Sequence, residues 1–332
     1  METILITGGA GFIGSNFIRH ILNKYKEYKI INLDKLTYCG NLDNLKDIEK
    51  NPRYKFVKGD VCDKEVVSKL IKNSDFVIHF AAETHVDRSI SDASPFIQTD
   101  VFGTYNLLNI AKDNKIKRFI QISTDEVYGS IKDGKFKETD ELKPSNPYSA
   151  SKASADRIAY SFYATYNLPV IITRSSNNFG PFQYPEKLIP LFITNLLEGK
   201  KVPVYGDGLN IRDWLYVLDN CEAIDFILHK GKEGEVYNIA GNNERTNIEI
   251  TKLLLELLNK NENSLEYVKD RPGHDRRYAL NSDKLNKLGW NPKPRFKEAI
   301  KNTVNWYTQN QEWWKKVRNK SFYDYYKKQY KG

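Results

Sequence analysis

Cysteine is scarce. Cys39, Cys62 and Cys221 are an odd number, widely separated, and show neither the pairing of a disulfide framework nor the spacing of a zinc site. Their expected state is that of buried or idle thiols in a reducing compartment. The five histidines (His20, His79, His85, His229 and His274) lack metal-ligand spacing too, so no metal is expected. No apolar run approaches the roughly 18 residues needed to span a bilayer, and no membrane partner is expected. Met1-Glu2-Thr3 leads at once into Ile4-Leu5-Ile6, without the basic region and cleavage site of a secretory leader, which points to a cytoplasmic protein. Internal repeats and low-complexity tracts are also missing.

What remains is an ordinary enzyme-like composition. The 332 residues are 40% hydrophobic and 28% charged, enough for about two domains and a sizeable core. The net charge of +9 raises nucleic acid as a partner. The lysines are nevertheless spread along the chain, in strings such as Asn23-Lys24-Tyr25-Lys26, and read as solvated surface. A diffuse basic field also attracts an anionic small molecule, and no nucleic-acid partner is expected.

Short apolar strands at Thr3–Thr7, Lys29–Asp34, Tyr54–Gly59, Phe76–Ala81, Phe119–Ser123 and Val170–Arg174 alternate with helical stretches, the first over Phe12–Leu22. This rhythm implies an α/β fold with a doubly wound parallel sheet covered on both faces. Beyond Arg174 it breaks at the turn-rich Asn177–Pro181, returns partly at Arg212–Tyr216 and Val236–Ala240, and continues as an amphipathic helix over Ile248–Leu258. A smaller C-terminal substrate domain interleaved with the first is expected, with 1–175 and 211–240 in one unit and 176–210 and 241–332 in the other. The aromatic tail (Trp306, Trp313, Trp314, Tyr323, Tyr325, Tyr326, Tyr330) reads as packing against the body of the protein.

Gly9-Ala10-Gly11-Phe12-Ile13-Gly14 fits G-x-G-x-x-G between a strand and a helix. In that pattern the first glycine makes the tight turn, the second admits a pyrophosphate, and the third lets the helix pack on the sheet. Asp34, twenty residues after Gly14 at the end of the next strand, stands where a carboxylate binds the adenosine ribose, which favours NAD over NADP. Asp60, after the following strand, falls near the adenine.

Tyr148 and Lys152 lie one helical turn apart and project from the same face. A neighbouring ammonium, together with a cationic nicotinamide, would lower the phenol's pKa and let it take a proton from a sugar hydroxyl. Thr124-Asp125-Glu126 follows the Phe119 strand at its carboxyl end, where open α/β sheets bind ligands. Adjacent carboxylates in unlike environments can act as an acid and a base, which is the equipment for removing water.

These segments resemble the extended short-chain dehydrogenase/reductase family, and within it the dTDP-glucose 4,6-dehydratases. The likeness rests on Thr7–Asn16, Leu33–Gly40, Ala81–Ile90, Ser123–Gly129, Tyr148–Ala153, Arg174–Pro181, Glu186–Leu191, Arg212–Val217 and Arg271–Ala279, and so covers nearly the whole chain. Thr124-Asp125-Glu126 is its most specific element. Epimerase relatives lack the carboxylate pair, and GDP-mannose dehydratase and UDP-glucuronate decarboxylase look like Thr-Ser-Glu.

The resemblance implies a Rossmann-type cofactor domain and a mechanism. Tyr148, tuned by Lys152, would deprotonate the sugar 4-hydroxyl while C4 passes hydride to NAD, with Thr124 on the same oxygen. Glu126 would then remove the C5 proton, Asp125 would protonate the departing C6 hydroxyl, and hydride would return to C6. It implies NAD contacts at Gly8, Gly11, Phe12, Ile13, Gly14, Asp34, Lys35, Thr37, Asp60, Val61, Ala81, Ala82, Thr99, Tyr148, Lys152 and Asn178. It implies contacts to dTDP-glucose, or a related nucleotide sugar, at Glu83, Thr124, Asn177, Lys187, Leu188, Tyr205, Arg212, Asn247, Arg271 and His274. The two arginines suit a diphosphate, which guanidinium groups grip with paired hydrogen bonds. A homodimer formed through helices such as the one bearing Tyr148 is also implied. One departure is Asp100, where the family usually has Asn. Two alternatives stay open: a UDP-sugar 4,6-dehydratase, and a non-catalytic NAD-binding sensor, which would have no need of Tyr148, Lys152, Asp125 and Glu126 together.

Overall fold

The computed structural model describes residues 1–270, 273–293 and 295–330. Ile4, Leu5 and Ile6 have no solvent exposure although successive side chains point to opposite faces of a strand. A strand apolar on both faces needs cover on both, and that is how the sheet is built.

The strands are β1 (Glu2–Thr7), β2 (Tyr28–Asp34), β3 (Tyr54–Lys58), β4 (Phe76–His79), β5 (Arg118–Thr124), β6 (Val170–Ser175), β7 (Asn177–Phe179), β8 (Val202–Tyr205), β9 (Ile211–Tyr216), β10 (Val236–Ile239), β11 (Glu244–Thr246) and β12 (Leu265–Val268). The helices up to the middle of the chain are α1 (Phe12–Lys24), α2 (Lys64–Ile71), α3 (Val86–Ser91), α4 (Ser94–Phe96), α5 (Thr104–Ala111) and α6 (Pro147–Tyr166). Those after it are α7 (Leu188–Leu197), α8 (Val217–Lys230), α9 (Asn247–Leu257), α10 (Asp283–Leu288), α11 (Phe296–Gln309), α12 (Gln311–Val317) and α13 (Lys320–Tyr330). A π-helical stretch, Ile97–Gly103, joins α4 to α5.

Seven strands form one parallel sheet in the order β10-β6-β5-β4-β1-β2-β3. The chain winds outward from β1 in one direction and then from β4 in the other, so the order reverses beside β1. Ligands of open α/β sheets bind at the carboxyl ends of the strands at such a switch point. Two small sheets, β11-β9-β7 and β12-β8, stand beyond that edge. Arg212–Tyr216, expected to resume the alternation, belongs to β9 and pairs with β7 and β11 rather than with the central sheet.

A buried network fixes α6, the helix bearing Tyr148, against the sheet. Arg174 on β6 donates to Asp156 of α6 from Nε at 2.8 Å and from Nη2 at 3.0 Å, and to the Tyr128 hydroxyl at 2.6 Å. Tyr128 donates in turn to Asn238 of β10 at 2.9 Å. A buried pair of this kind does little net stabilising but strongly penalises the loss of either partner. The aromatic tail packs as expected for the most part: Trp314 is fully buried, and Phe182, Trp306 and Trp313 form one ring cluster.

Candidate active site

The turn after β1 makes the first wall. Gly8 has φ +71, and a Cβ there would lie 2.6 Å from the Ala81 amide nitrogen at the end of β4. Only glycine meets both demands. The pattern G-x-G-x-x-G places the tight turn at Gly9; the structure places the positive φ one residue earlier, at Gly8, which is spaced G-x-x-G-x-x-G with Gly11 and Gly14. A Cβ at Gly14 would lie 2.5 Å from the Gly8 carbonyl oxygen, so α1 packs directly on the turn. No side chain caps the N-terminus of α1, and its first amides face the cleft.

Every residue assigned to NAD from the sequence lines this one cleft: Gly8, Gly11, Phe12, Ile13, Gly14, Asp34, Lys35, Thr37, Asp60, Val61, Ala81, Ala82, Thr99, Tyr148, Lys152 and Asn178. Each Asp34 oxygen accepts one backbone N–H, from Ala10 at 2.9 Å and from Leu36 at 2.8 Å. Each therefore keeps a lone pair for a ribose hydroxyl. Lys35 pairs with Asp60 at 2.6 Å. The Asn178 Oδ1 atom is buried with no hydrogen-bond partner among the described residues. Cradle, ribose acceptor and waiting amide together fit a dinucleotide.

The cleft continues to the ends of β5 and α6, where Thr124, Asp125, Glu126, Tyr148 and Lys152 converge. Asn146 caps α6 by accepting from Ser149 N–H at 2.9 Å, with Pro147 at the first helical position. The helix thus begins where Tyr148 must sit. Lys152 Nζ donates to the Ile122 carbonyl at 2.7 Å, and Thr124 stands near the Tyr148 hydroxyl, where it favours the charged form. Thr124 Oγ1 donates to Asp125 Oδ1 at 3.0 Å.

The electrostatics of the site are dominated by burial. Burial holds the Tyr148 phenol well above its ordinary pKa, and Glu126, Asp100 and Asp125 push it further up. Lys152 is itself lowered by burial, against the opposing pull of Asp100 and Asp156. Asp125, 2% exposed, is held well above the carboxylate range by burial and then by Glu126, which favours its protonated form. Its Oδ2 has no hydrogen-bond partner among the described residues.

A second cavity opens from the same point and shares Glu126, Asn177, Asn178, Gln183, Glu186 and Lys187 with the first. Lys187, Leu188, Tyr205, Arg212, Asn247, His274 and Asn177 line it, as assigned to substrate, while Glu83 and Thr124 stand on the first cavity's side. Arg212 is fixed by donating to the carbonyls of Asp275 at 2.9 Å and Ile211 at 2.8 Å, with its guanidinium over the Tyr278 ring. Lys187 donates to the Thr84 carbonyl at 2.6 Å, and His274 Nδ1 pairs with Asp270 at 2.6 Å. Arg271 lies outside the described residues. Sequence reasoning missed Glu186, Tyr278 and Tyr330, which also line the second cavity. Glu186 and Tyr278 fall inside the resembling segments Glu186–Leu191 and Arg271–Ala279, which was their only signal, while Tyr330 is indistinguishable by spacing from a core aromatic.

A sheet wound in this order, with its cradle opening on a tyrosine–lysine helix, defines an extended short-chain dehydrogenase/reductase. The chain belongs to the GDP-mannose 4,6 dehydratase family, whose model matches residues 5–303. It is 50% identical to a low-salt glycan biosynthesis protein of Haloferax volcanii, over 93% of this chain and 99% of that one. Against the dTDP-glucose 4,6-dehydratase of Bacillus anthracis, solved in complex with NAD, identity is 54% and the TM-score 0.90, covering 96% of this chain and 100% of the other. The dTDP-glucose 4,6-dehydratase of Streptomyces venezuelae, also solved with NAD, superposes with a TM-score of 0.93 at 46% identity, covering 95% and 99%.

Proposed function

We propose that this protein is a dTDP-glucose 4,6-dehydratase, a hydro-lyase that uses bound NAD to convert dTDP-glucose into dTDP-4-keto-6-deoxyglucose and water. The observation that carries the reading is the Asp125-Glu126 pair beside Tyr148 and Lys152: one carboxyl is buried, which favours its protonated form, and its neighbour stands where the two cavities meet.

NAD, when bound, supplies the two-electron acceptor for oxidation at C4 and the donor for reduction at C6. Gly8, Gly11 and Gly14 hold its pyrophosphate against α1, with Phe12 and Ile13 beside it. Asp34, Lys35 and Thr37 hold the adenosine ribose, and Asp60 and Val61 the adenine end. Ala81, Ala82, Thr99 and Asn178 line the path to the nicotinamide. Tyr148 takes the proton of the sugar 4-hydroxyl, with Thr124 hydrogen-bonded to the same oxygen and Lys152 supplying positive charge one helical turn away. The 4-ketone then acidifies C5. Glu126 accepts the C5 proton, Asp125, whose burial favours its protonated form, donates to the C6 hydroxyl as it leaves, and Glu126 returns a solvent-exchangeable proton to C5 as C6 is reduced. Arg212 and Arg271 grip the diphosphate, and Glu83, Asn177, Lys187, Leu188, Tyr205, Asn247 and His274 complete the substrate wall.

On this reading 1–175 and 211–240 form the cofactor domain and 176–210 and 241–332 the sugar-nucleotide domain, with β9 on the seam. We infer a cytoplasmic homodimer: no helix among the described residues is long and apolar enough to cross a membrane, and Phe102, Tyr105, Tyr160 and Tyr166 expose aromatic surface around α5 and α6.

The test is to incubate the purified protein with dTDP-glucose, without added cofactor, and to follow loss of one water by mass spectrometry. A parallel sample contains UDP-glucose. Dehydration of the dTDP-sugar alone supports the reading. Turnover of UDP-glucose instead transfers it to the UDP-sugar reaction, and silence on both with NAD bound leaves a sensor.

A further inference from the structure

Asp100 has no task in the mechanism above, yet its carboxylate is 1% exposed and sits at a junction of the site. Its Oδ1 accepts the Glu83 N–H at 2.8 Å, and its Oδ2 accepts the Ser151 hydroxyl at 2.7 Å. Glu83 belongs to the loop after β4, and Ser151 stands on α6 immediately before Lys152. One side chain of the π-helical stretch therefore ties the cofactor-lining loop to the catalytic helix.

We propose that Asp100 is a positioning residue for the oxidation step, clamping the Glu83 loop to α6 and acting as the counter-charge that keeps the buried Lys152 ammonium protonated beside Tyr148. This deepens the reading of Tyr148 and Lys152 given above and rests on it. Among the described residues Lys152 Nζ has a single hydrogen bond, to the neutral Ile122 carbonyl, so its charge is otherwise answered mainly at a distance. The negative groups that raise its proton affinity are Asp100 and then Asp156. A buried ammonium without a counter-charge would lose its proton.

The groups facing Asp100 come from every neighbouring element. Glu83 faces it from the loop after β4, and Lys152 and Tyr148 from α6. Asp125 and Glu126, at the end of β5, act on the same phenol. On β4, His79 touches Thr104, whose hydroxyl donates to the Asp100 carbonyl, and burial and then Lys152 push His79 down to about 3, so it is neutral. Burial pushes Asp100 itself up to about 7, against the lowering effects of Lys152, the Ser151 hydroxyl and the Glu83 N–H.

Ser151 makes the arrangement responsive to protonation. It has one hydroxyl proton and two acceptors, Asp100 Oδ2 at 2.7 Å and the Tyr148 carbonyl at 2.8 Å. With Asp100 ionised the proton serves the carboxylate. With Asp100 neutral the carboxyl donates to Ser151, which turns its proton to the Tyr148 carbonyl. An amide at position 100 makes the same two contacts, so Asp100→Asn removes the charge and keeps the clamp.

The experiment compares the NAD-loaded wild type, Asp100→Asn and Ser151→Ala. Its readouts are the pH profiles of kcat and kcat/KM on dTDP-glucose and an infrared pH titration without substrate. An ionised Asp100 raises the proton affinity of both Lys152 and Tyr148, so Asp100→Asn moves both limbs of the profile to lower pH by about one unit. Ser151→Ala moves them the same way by less, because the carboxylate loses a hydrogen bond that stabilises its charge. In the infrared, wild type gains a protonated-carboxyl band as pH falls through about 7; Asp100→Asn lacks it and Ser151→Ala shifts it to higher pH. Profiles of Asp100→Asn that coincide with wild type, or no such band in wild type, overturn the proposal. Should Asp100→Asn fail to fold, Ser151→Ala and the wild-type titration decide. A wild type inactive on dTDP-glucose defeats the functional reading instead, and the infrared titration then decides the charge of Asp100 separately.

Discussion

Replacing Gly8 by alanine tests where the cofactor cradle lies. At φ +71 an alanine costs about 1–2 kcal/mol in backbone strain. Its Cβ would sit 2.6 Å from Ala81 N, 2.7 Å from Ala81 Cα and 2.8 Å from the Phe80 carbonyl carbon, all backbone atoms in the central sheet or at its edge. Overpacking of that kind adds about 1–3 kcal/mol. The strain is relieved by moving the turn away from Ala81, which spoils the phosphate-facing geometry. If about 2 kcal/mol of the total falls on binding, the NAD Kd rises roughly 30-fold. Gly9→Ala is the comparison. There the new Cβ meets the ends of the Asn32 and Ile18 side chains at 2.3 and 2.6 Å, with no positive φ to satisfy. It should cost about 1–2 kcal/mol of stability and leave Kd within about threefold. Calorimetric titration of cofactor-stripped protein with NAD, paired with thermal melts, separates the two effects. A Gly9→Ala protein that loses as much NAD affinity as Gly8→Ala would refute the assignment of the turn.

Glu126→Gln should cut dehydration by about 10²–10⁴-fold while the 4-keto sugar still forms, read by trapping the ketone in single-turnover samples. Asp225 joins α1 to α8 by accepting from His20 at 2.7 Å, Lys24 at 2.6 Å and His229 at 3.0 Å. Burial alone would raise its pKa, but His20, His229 and Lys24 carry it well below the carboxylate range. A depressed folded pKa gives stability that is present above the unfolded value and lost as pH falls. Asp225→Asn should therefore lose about 2–3 kcal/mol at neutral pH, discounted for the half-exposed Lys24, and the gap should begin to close below about pH 4 in denaturant melts. Gln329 donates to the Tyr205 hydroxyl at 2.7 Å and Tyr330 packs on the same ring, so removing 320–332 should raise KM for the sugar nucleotide about tenfold, with NAD affinity unchanged in the same titration.

Much of the site was legible because its chemistry depends on close spacing in the chain. Tyr148 and Lys152 share one helix face whatever the tertiary fold, and Asp34 follows the glycine turn by one strand–helix unit. The short strands β8, β11 and β12 were not legible, since three or four residues carry no usable period and, unlike the equally short β4 and β10, they stand outside the parallel sheet that the apolar strands announce. The π-helical stretch Ile97–Gly103 hides for a related reason: its apolar spacing does not announce the altered hydrogen bonding that brings Asp100 inward. The choice between Gly8 and Gly9 needed the position of Ala81, some seventy residues away. The direction of the Tyr148 shift needed the burial of the phenol and the three carboxylates that surround it. Tyr330 illustrates the limit for aromatics, being packed against the body like the rest of the tail and yet part of the second cavity's wall.

The central claim is that Glu126 and Asp125 expel water across C5 and C6 of a dTDP-hexose. The most direct measurement runs the reaction in deuterated water and analyses the product by mass spectrometry after its hydroxyl deuterons are exchanged back. The account expects dTDP-glucose to lose one water and gain one non-exchangeable deuteron at C5, with neither change in Glu126→Gln. Product that has lost water but carries no deuteron at C5, or a Glu126→Gln protein that forms it at the wild-type rate, would contradict it.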